Sequence, residues 1–339
     1  MLIIIFLNSN SYSEDNRNFQ FDKGIIALMY HRFDEHKYPS TNIQMDIFKN
    51  QIEIIEELNI DFVNPYNLEE KISKIHDTRK ILLTIDDGFQ SFYDNAWPIL
   101  KNKNIPFILF ISTEFVGKKG YMDWDQIKEI ENSELGMIGN HSHTHEYLVD
   151  EEDKKIIDDI NRSVILFKKN LGHSPKYFSY PFGEYSNNFK AIVKKLNFNI
   201  AFGQHSGLID GTKDSLELPR FPINEKYGDL DRFKFLLNLL PFPFKHIYPE
   251  NRYLEENENP PKVKIVFFEN QKNLENINCF SNEGNRWRNS KIKFDKKNVL
   301  MIEIVEKFTT ERGRINCSLN DTDGWRWLGI QYVISSHKN

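Results

Sequence analysis

The sequence predicts an α/β domain followed by a small β-sandwich, and three observations carry that expectation. From residue 25 to about 202 short apolar runs alternate with amphipathic stretches; from about 263 strand-like runs follow one another without a convincing helix; a Pro- and Asn-rich stretch separates the two. The chain has 339 residues, enough for one large domain and a small one. Hydrophobic residues make up 40% and charged residues 27%, so a core is available and disorder is not expected.

The apolar runs of the first part are IIALMY (25–30), DFVNP (61–65), KILLTI (80–85), PFILFIS (106–112), LGMIG (135–139), KYFSY (176–180) and FNIAF (198–202). About seven strands in βα units suggest a closed barrel, although a doubly wound open sheet gives the same alternation. Between the runs, Phe48, Ile52 and Ile55 share one helical face, as do Ile156, Ile157, Ile160, Val164 and Phe167, whose helix Gly172 closes. Asn67 followed by Glu70 predicts a capping box. The prolines and charges of 240–262 read as a connection, which divides the chain into a domain over 25–245, a linker over 246–261 and a sandwich over 262–339. The sandwich runs are KIVFF (264–268), KIKF (291–294), VLMIEIV (299–305), RINCSL (314–319) and LGIQYVI (328–334). Trp287, Trp325 and Trp327 fall here and read as sandwich core, with a sugar-stacking face as the alternative.

A net charge of −5 argues against nucleic acid or an anionic membrane bound through bulk charge. The charge is unevenly spread, since residues 262–339 hold 14 Lys+Arg and 9 Asp+Glu and so balance at +5. Two cysteines are too few for a disulfide framework or a four-thiolate zinc site, so any metal must use His and carboxylates. The opening run Leu2 to Leu7, followed by small and polar residues, looks like the tail of a signal peptide, so 1–24 are read as a signal-like segment and lead-in, and the protein as exported, with a first β-strand or a misassigned start as the alternative. That run is too short to span a bilayer. Export would fit a disulfide between Cys279 and Cys317.

Three motifs could carry chemistry. KILLTI runs into Asp86-Asp87-Gly88-Phe89, and adjacent residues at a strand end face opposite ways, so one carboxylate can ligate a metal while its neighbour handles a proton. Ordinary turn chemistry explains the same residues equally well. His141 and His145 in HSHTH can aim two neutral imidazoles at one zinc-like ion, and Asp87 would complete a two-His, one-carboxylate set. His143 between them has no assigned role. Ser179-Tyr180-Pro181-Phe182-Gly183 makes a stiff turn able to present the Phe182 N–H to an oxyanion. His31 could donate a proton and Arg220 could hold a carboxylate bidentately. Tyr180, Phe182 and Trp124 are candidates for lining a sugar groove, with core packing as the alternative.

TIDDGF (84–89), HSHTH (141–145) and SYPFG (179–183), in that order and each at a strand end, resemble the first three motifs of the polysaccharide deacetylases, carbohydrate esterase family four. MDWDQIKEI (122–130) and LPRFPIN (218–224) are similar to the family as well, and the resemblance spans about residues 25–235. It implies a distorted (β/α) barrel of about seven strands and a divalent metal, zinc by expectation, held by Asp87, His141 and His145. It also implies Asp86 as general base and an N-acetylated polysaccharide as substrate. Two departures stand out: Ser179 occupies a position where the family usually carries Arg, and the late Leu-His motif that supplies the general acid is missing. Both resemble the poly-N-acetylglucosamine deacetylase branch, which implies His31 as the acid and Arg220 as the support of Asp86, with His205 as the fallback acid. A chitin-oligomer or peptidoglycan deacetylase is the enzymatic alternative, and a catalytically silent glycan-binding protein the other.

Overall fold

A computed structural model describes residues 22–334, so the signal-like segment falls almost wholly outside the described residues. The main sheet has eight strands, seven of them in one continuous path: β1 (Ile25–Tyr30), β2 (Lys80–Ile85), β3 (Phe107–Ile111), β4 (Gly136–Asn140), β5 (Tyr177–Ser179), β6 (Ile200–Phe202) and β7 (Phe221–Pro222). They run parallel in the order β7-β1-β2-β3-β4-β5-β6. A parallel bridge between Phe202 and Leu218 carries β6 to the segment entering β7, so the sheet curls into a distorted barrel instead of lying open.

Continuous apolar runs are what strands covered on both faces require. Alternate residues divide accordingly. Ile25, Ala27, Leu82, Ile108, Phe110 and Phe202 pack in one cluster, while Ile26, Leu28, Ile81, Leu83, Phe107 and Leu109 pack in another beneath the helices. Phe110 of β3 and Phe202 of β6 meet with ring centroids 5.6 Å apart although two strands separate them in the sheet, which places the first cluster inside the barrel. Helix Met45–Glu57 buries Phe48, Ile52 and Ile55, and helix Asp153–Leu171 ends at Gly172 with φ +84°.

Several expectations are corrected. The run 61–65 yields only Asp61–Phe62, a short strand beside β2, whereas LPRFPIN supplies β7, too short at two residues to announce itself. Asn67 caps nothing with its side chain; Asn64 instead accepts from the Tyr66 N–H, and the capping box forms at Asp123 and Gln126. Residues 246–261 are not a free linker. His246–Tyr248 pairs with Val263–Val266 and Tyr253–Leu254 pairs with Gly324–Ile334, because Ile247 and Leu254 have core positions to fill.

The C-terminal part holds two sheets. One contains Ile277–Ser281, Arg312–Asp321 and Gly324–Ile334; the other contains Val263–Val266, Lys291–Lys296 and Val299–Glu303. Ile265, Leu300 and Ile302 from one meet Ile315, Leu319 and Ile330 from the other in a shared core. Cys279 and Cys317 lie opposite each other on paired strands and form a disulfide. The tryptophans are not in that core: Trp287 and Trp325 are exposed, and Trp327 packs toward the barrel. No helix among the described residues is long and apolar enough to cross a membrane.

Candidate active site

The chemistry-bearing motifs meet at the C-terminal ends of the barrel strands, where βα loops gather in this architecture. Asp86 extends the β2 ladder, donating its N–H to the Tyr30 carbonyl at 2.9 Å, and its side chain is fully buried. At Asp87 the backbone turns to φ +75°, and the second carboxylate is the more open of the two, although both face His141 Nε2. His141 extends β4 by donating to the Ile111 carbonyl. Its Nδ1 lies 2.7 Å from the Ser179 carbonyl, which accepts the ring N–H and leaves Nε2 as the free lone pair.

That Nε2 is 3.5 Å from Asp87 Oδ1, and His145 Nε2 is 3.4 Å from the same oxygen. Ligands at about 2.1 Å from a tetrahedral ion stand about 3.4 Å apart, so the spacing fits a zinc-type cation. Asp87, His141 and His145 form the one such cluster among the described residues. Burial pushes the His141 pKa down to about 4 against the opposing pull of Asp86, so the ring is neutral at pH 7 as a metal ligand must be.

The loop is fixed from below. Asp159 accepts from the N–H groups of His143 and Thr144 and from the Thr144 hydroxyl, and Ser142 Oγ accepts from the His145 N–H. Ser142, His145 and Phe182 join Asp87 in the left-handed region, a concentration of backbone strain expected where geometry serves a site. His143, without a role in the sequence reading, is buried with Nδ1 2.8 Å from Thr113 Oγ1 and is structural.

Arg220 is fully buried and grips Asp86 through both terminal nitrogens at 2.8 Å. Its Nε donates to the Gly203 carbonyl and its Nη2 also to Ser179 Oγ, at 3.0 and 2.9 Å. Ser179, where the family usually has Arg, thus becomes a small partner that leaves room for the guanidinium arriving from LPRFPIN. Burial alone would raise the Asp86 pKa, but the Arg220 charge, with His141 and His31, holds it well below the ordinary carboxylate value.

Asp87 and His145 of the ligand set open into a cleft of about 840 Å³ with two walls. The barrel contributes His31, Asp87, His145 and Phe182; the C-terminal part contributes Trp287 from a loop and Arg314 and Trp327 from its sheet. Phe182 packs its ring on His145 and stacks on Tyr147 at 4.0 Å. The walls are joined where Gly329 N–H and Trp327 Nε1 donate to Ser206 at 2.7 and 2.9 Å, and a Cβ at position 329 would sit 2.3 Å from the Ser206 carbonyl oxygen.

Two groove candidates are elsewhere. Tyr180 is fully buried and donates to the Leu216 carbonyl, because strand alternation turns it into the core, and Trp124 packs edge-on against Phe167 under the helices. His205, the fallback acid, reaches the cleft lining, but burial lowers its pKa to about 3, so it holds no proton to give at pH 7. The sequence reading missed Asp159, whose signal was an acid inside the apolar stripe Ile156, Ile160 and Phe167, and the cleft cations Lys226, Arg232 and Arg314, which carry no motif.

A buried acid–guanidinium pair behind a two-His, one-carboxylate set, at the mouth of a distorted (β/α) barrel, defines a hydrolase site. Residues 73–201 match the family model described as polysaccharide deacetylase, so the chain carries a polysaccharide deacetylase domain, that of a hydrolase acting on amides. A poly-β-1,6-N-acetyl-D-glucosamine N-deacetylase of Staphylococcus aureus is 24% identical over 248 residues, which cover 64% of this chain and 82% of the relative. Among solved structures, IcaB from Ammonifex degensii superposes with a TM-score of 0.59 at 24% identity, covering 63% of this chain and 97% of that one. The Streptococcus pyogenes deacetylase PplD in complex with acetate gives 0.56 at 22% identity, covering 60% and 94%.

Proposed function

We propose that the protein removes N-acetyl groups from a β-linked N-acetylglucosamine polysaccharide outside the cell, poly-β-1,6-N-acetylglucosamine in the first place, releasing acetate and leaving free amines. The observation that carries this reading is the ionised, fully buried Asp86, held by Arg220 directly behind Asp87, His141 and His145. The Staphylococcus aureus relative, a poly-β-1,6-N-acetyl-D-glucosamine N-deacetylase, supports the substrate, and the Cys279–Cys317 disulfide fits an oxidising compartment.

Asp87, His141 and His145 would hold a divalent cation, zinc by ligand type, which would lower the pKa of water and polarise the acetyl carbonyl. Asp86 takes the proton of the attacking water, and Arg220 keeps that carboxylate ionised and aimed. The Phe182 N–H donates to the oxyanion as the carbonyl carbon becomes tetrahedral. His31, which lines the same cleft, gives a proton to the departing amine, and the C–N bond breaks to yield acetate.

Asp86→Asn keeps the shape and the ligand set but removes the base. Acetate release should fall roughly 10²–10⁴-fold with circular dichroism and metal content unchanged. Undiminished release would refute the assignment.

A further inference from the structure

The cleft is cationic in a way that a neutral glycan does not require. Its lining includes Lys226, Arg232, Arg312 and Arg314 against a single carboxylate, Asp87, which is spoken for by the two imidazoles. Arg312 is paired with Glu184 at 2.6 Å. The other three have no carboxylate within ion-pair distance among the described residues.

Arg232 and Arg314 are partly buried and set by their surroundings, while Lys226 is exposed beside them. Arg232 donates to the Tyr227 carbonyl and its guanidinium lies 5.1 Å from the Tyr227 ring centre, with the Lys226 ammonium 5.2 Å from the same ring. Arg314, from the C-terminal sheet, donates Nε to Gln331. Both guanidiniums are substantially desolvated, and burial lowers the pKa of each. Asp229 acts on Arg232 and Glu184 on Arg314 only from beyond ion-pair distance, and partly buried cations so weakly compensated are stabilised when an anion completes them. Beside them Trp287 is 53% exposed on the cleft, a flat apolar face of the kind on which a sugar ring stacks.

Resting on the deacetylase reading, we propose that the C-terminal sheet and the 224–232 segment form an anion subsite, so that the preferred substrate is an N-acetylated glycan bearing carboxylate or phosphate groups on sugars flanking the one that is deacetylated. The anion is read by Lys226, Arg232 and Arg314, and a neighbouring ring stacks on Trp287.

The test uses the full chain with its metal and three probes: a neutral β-linked N-acetylglucosamine hexamer, the same hexamer carrying hemisuccinate esters, and the same hexamer carrying phosphate monoesters. At low salt kcat/KM for acetate release should be about tenfold or more higher on the better anionic probe, the scale of one charge-assisted hydrogen bond. The advantage should shrink at high salt. Which anionic probe is preferred separates a carboxylate from a phosphate. In Arg314→Gln, and separately in Lys226→Gln, the anionic-to-neutral ratio should fall toward one. Equal or better turnover of the neutral hexamer overturns the inference and leaves the deacetylase reading standing. Acetate released from none of the probes overturns the deacetylase reading, and titration of tryptophan fluorescence then decides the subsite: the anionic hexamers must bind at least tenfold tighter than the neutral one, or the inference falls.

Discussion

Replacing Arg220 by Met retains most of the buried volume and removes the charge, which isolates what the guanidinium does for Asp86. Asp86 is fully buried and takes two 2.8 Å hydrogen bonds from Arg220, so the variant leaves an uncompensated carboxylate in the barrel. Breaking a buried pair in this way costs about 3–5 kcal/mol, against a total stability of about 5–15 kcal/mol for a typical fold. The loss must depend on pH. In the parent, the Asp86 pKa is depressed, so its stabilisation is present above the unfolded value of about 3.9 and fades as pH falls through the folded value. In the variant, burial acts unopposed and raises the pKa, so the penalty holds above that raised value and is relieved as pH falls through it. Urea unfolding at about pH 7 and about pH 4 should therefore show the gap between the proteins narrowing toward acid. A loss below about 1 kcal/mol, or an equal loss at both pH values, would refute the idea that charge compensation by Arg220 keeps Asp86 ionised.

His141→Ala should lower the metal content of the purified protein by far more than His143→Ala, because only the first has a ring nitrogen facing Asp87; equal occupancy in both would count against the ligand set. Reducing the disulfide, or Cys279→Ser with Cys317→Ser, opens a loop closed across 38 residues and should lower stability by about 4 kcal/mol on the chain-entropy estimate, read as a drop in the urea midpoint. Gly183→Ala, at φ +69° and with its Cβ 2.5 Å from the Gln204 backbone nitrogen, should displace the Phe182 turn and reduce kcat more than it raises KM; unaltered kinetics would exclude the turn from the reaction.

The barrel was legible because parallel strands covered on both faces leave continuous apolar runs, and six of the seven appear as such. The seventh, Phe221–Pro222, was not, since two residues have no periodicity; its place comes from tertiary pairing with Leu28 and Met29. Asp87, His141 and His145 were readable from residue type and strand-end position. Tyr180 was misread because alternation fixes that a side chain faces one side of a sheet but not which side is the cleft. The linker expectation failed for a related reason: prolines and charges marked 246–261 as irregular, yet Ile247 and Leu254 were enough to dock it. No local pattern could give the cleft cations, since Arg314 joins Lys226 and Arg232 only through the packing of one domain on the other.

Ser206 ties the C-terminal sheet to the barrel, and the segment around it also steadies Arg220, which donates its backbone N–H to the His205 carbonyl and its Nε to the Gly203 carbonyl. The strand bearing Gly329 therefore braces the residue that holds Asp86 ionised. Exchanging the C-terminal module for an unrelated one would loosen the proton-transfer centre as well as strip a wall from the groove. The two halves of this chain are thus mechanically interdependent, and a graft that preserves every barrel motif should still inherit a weakened catalyst.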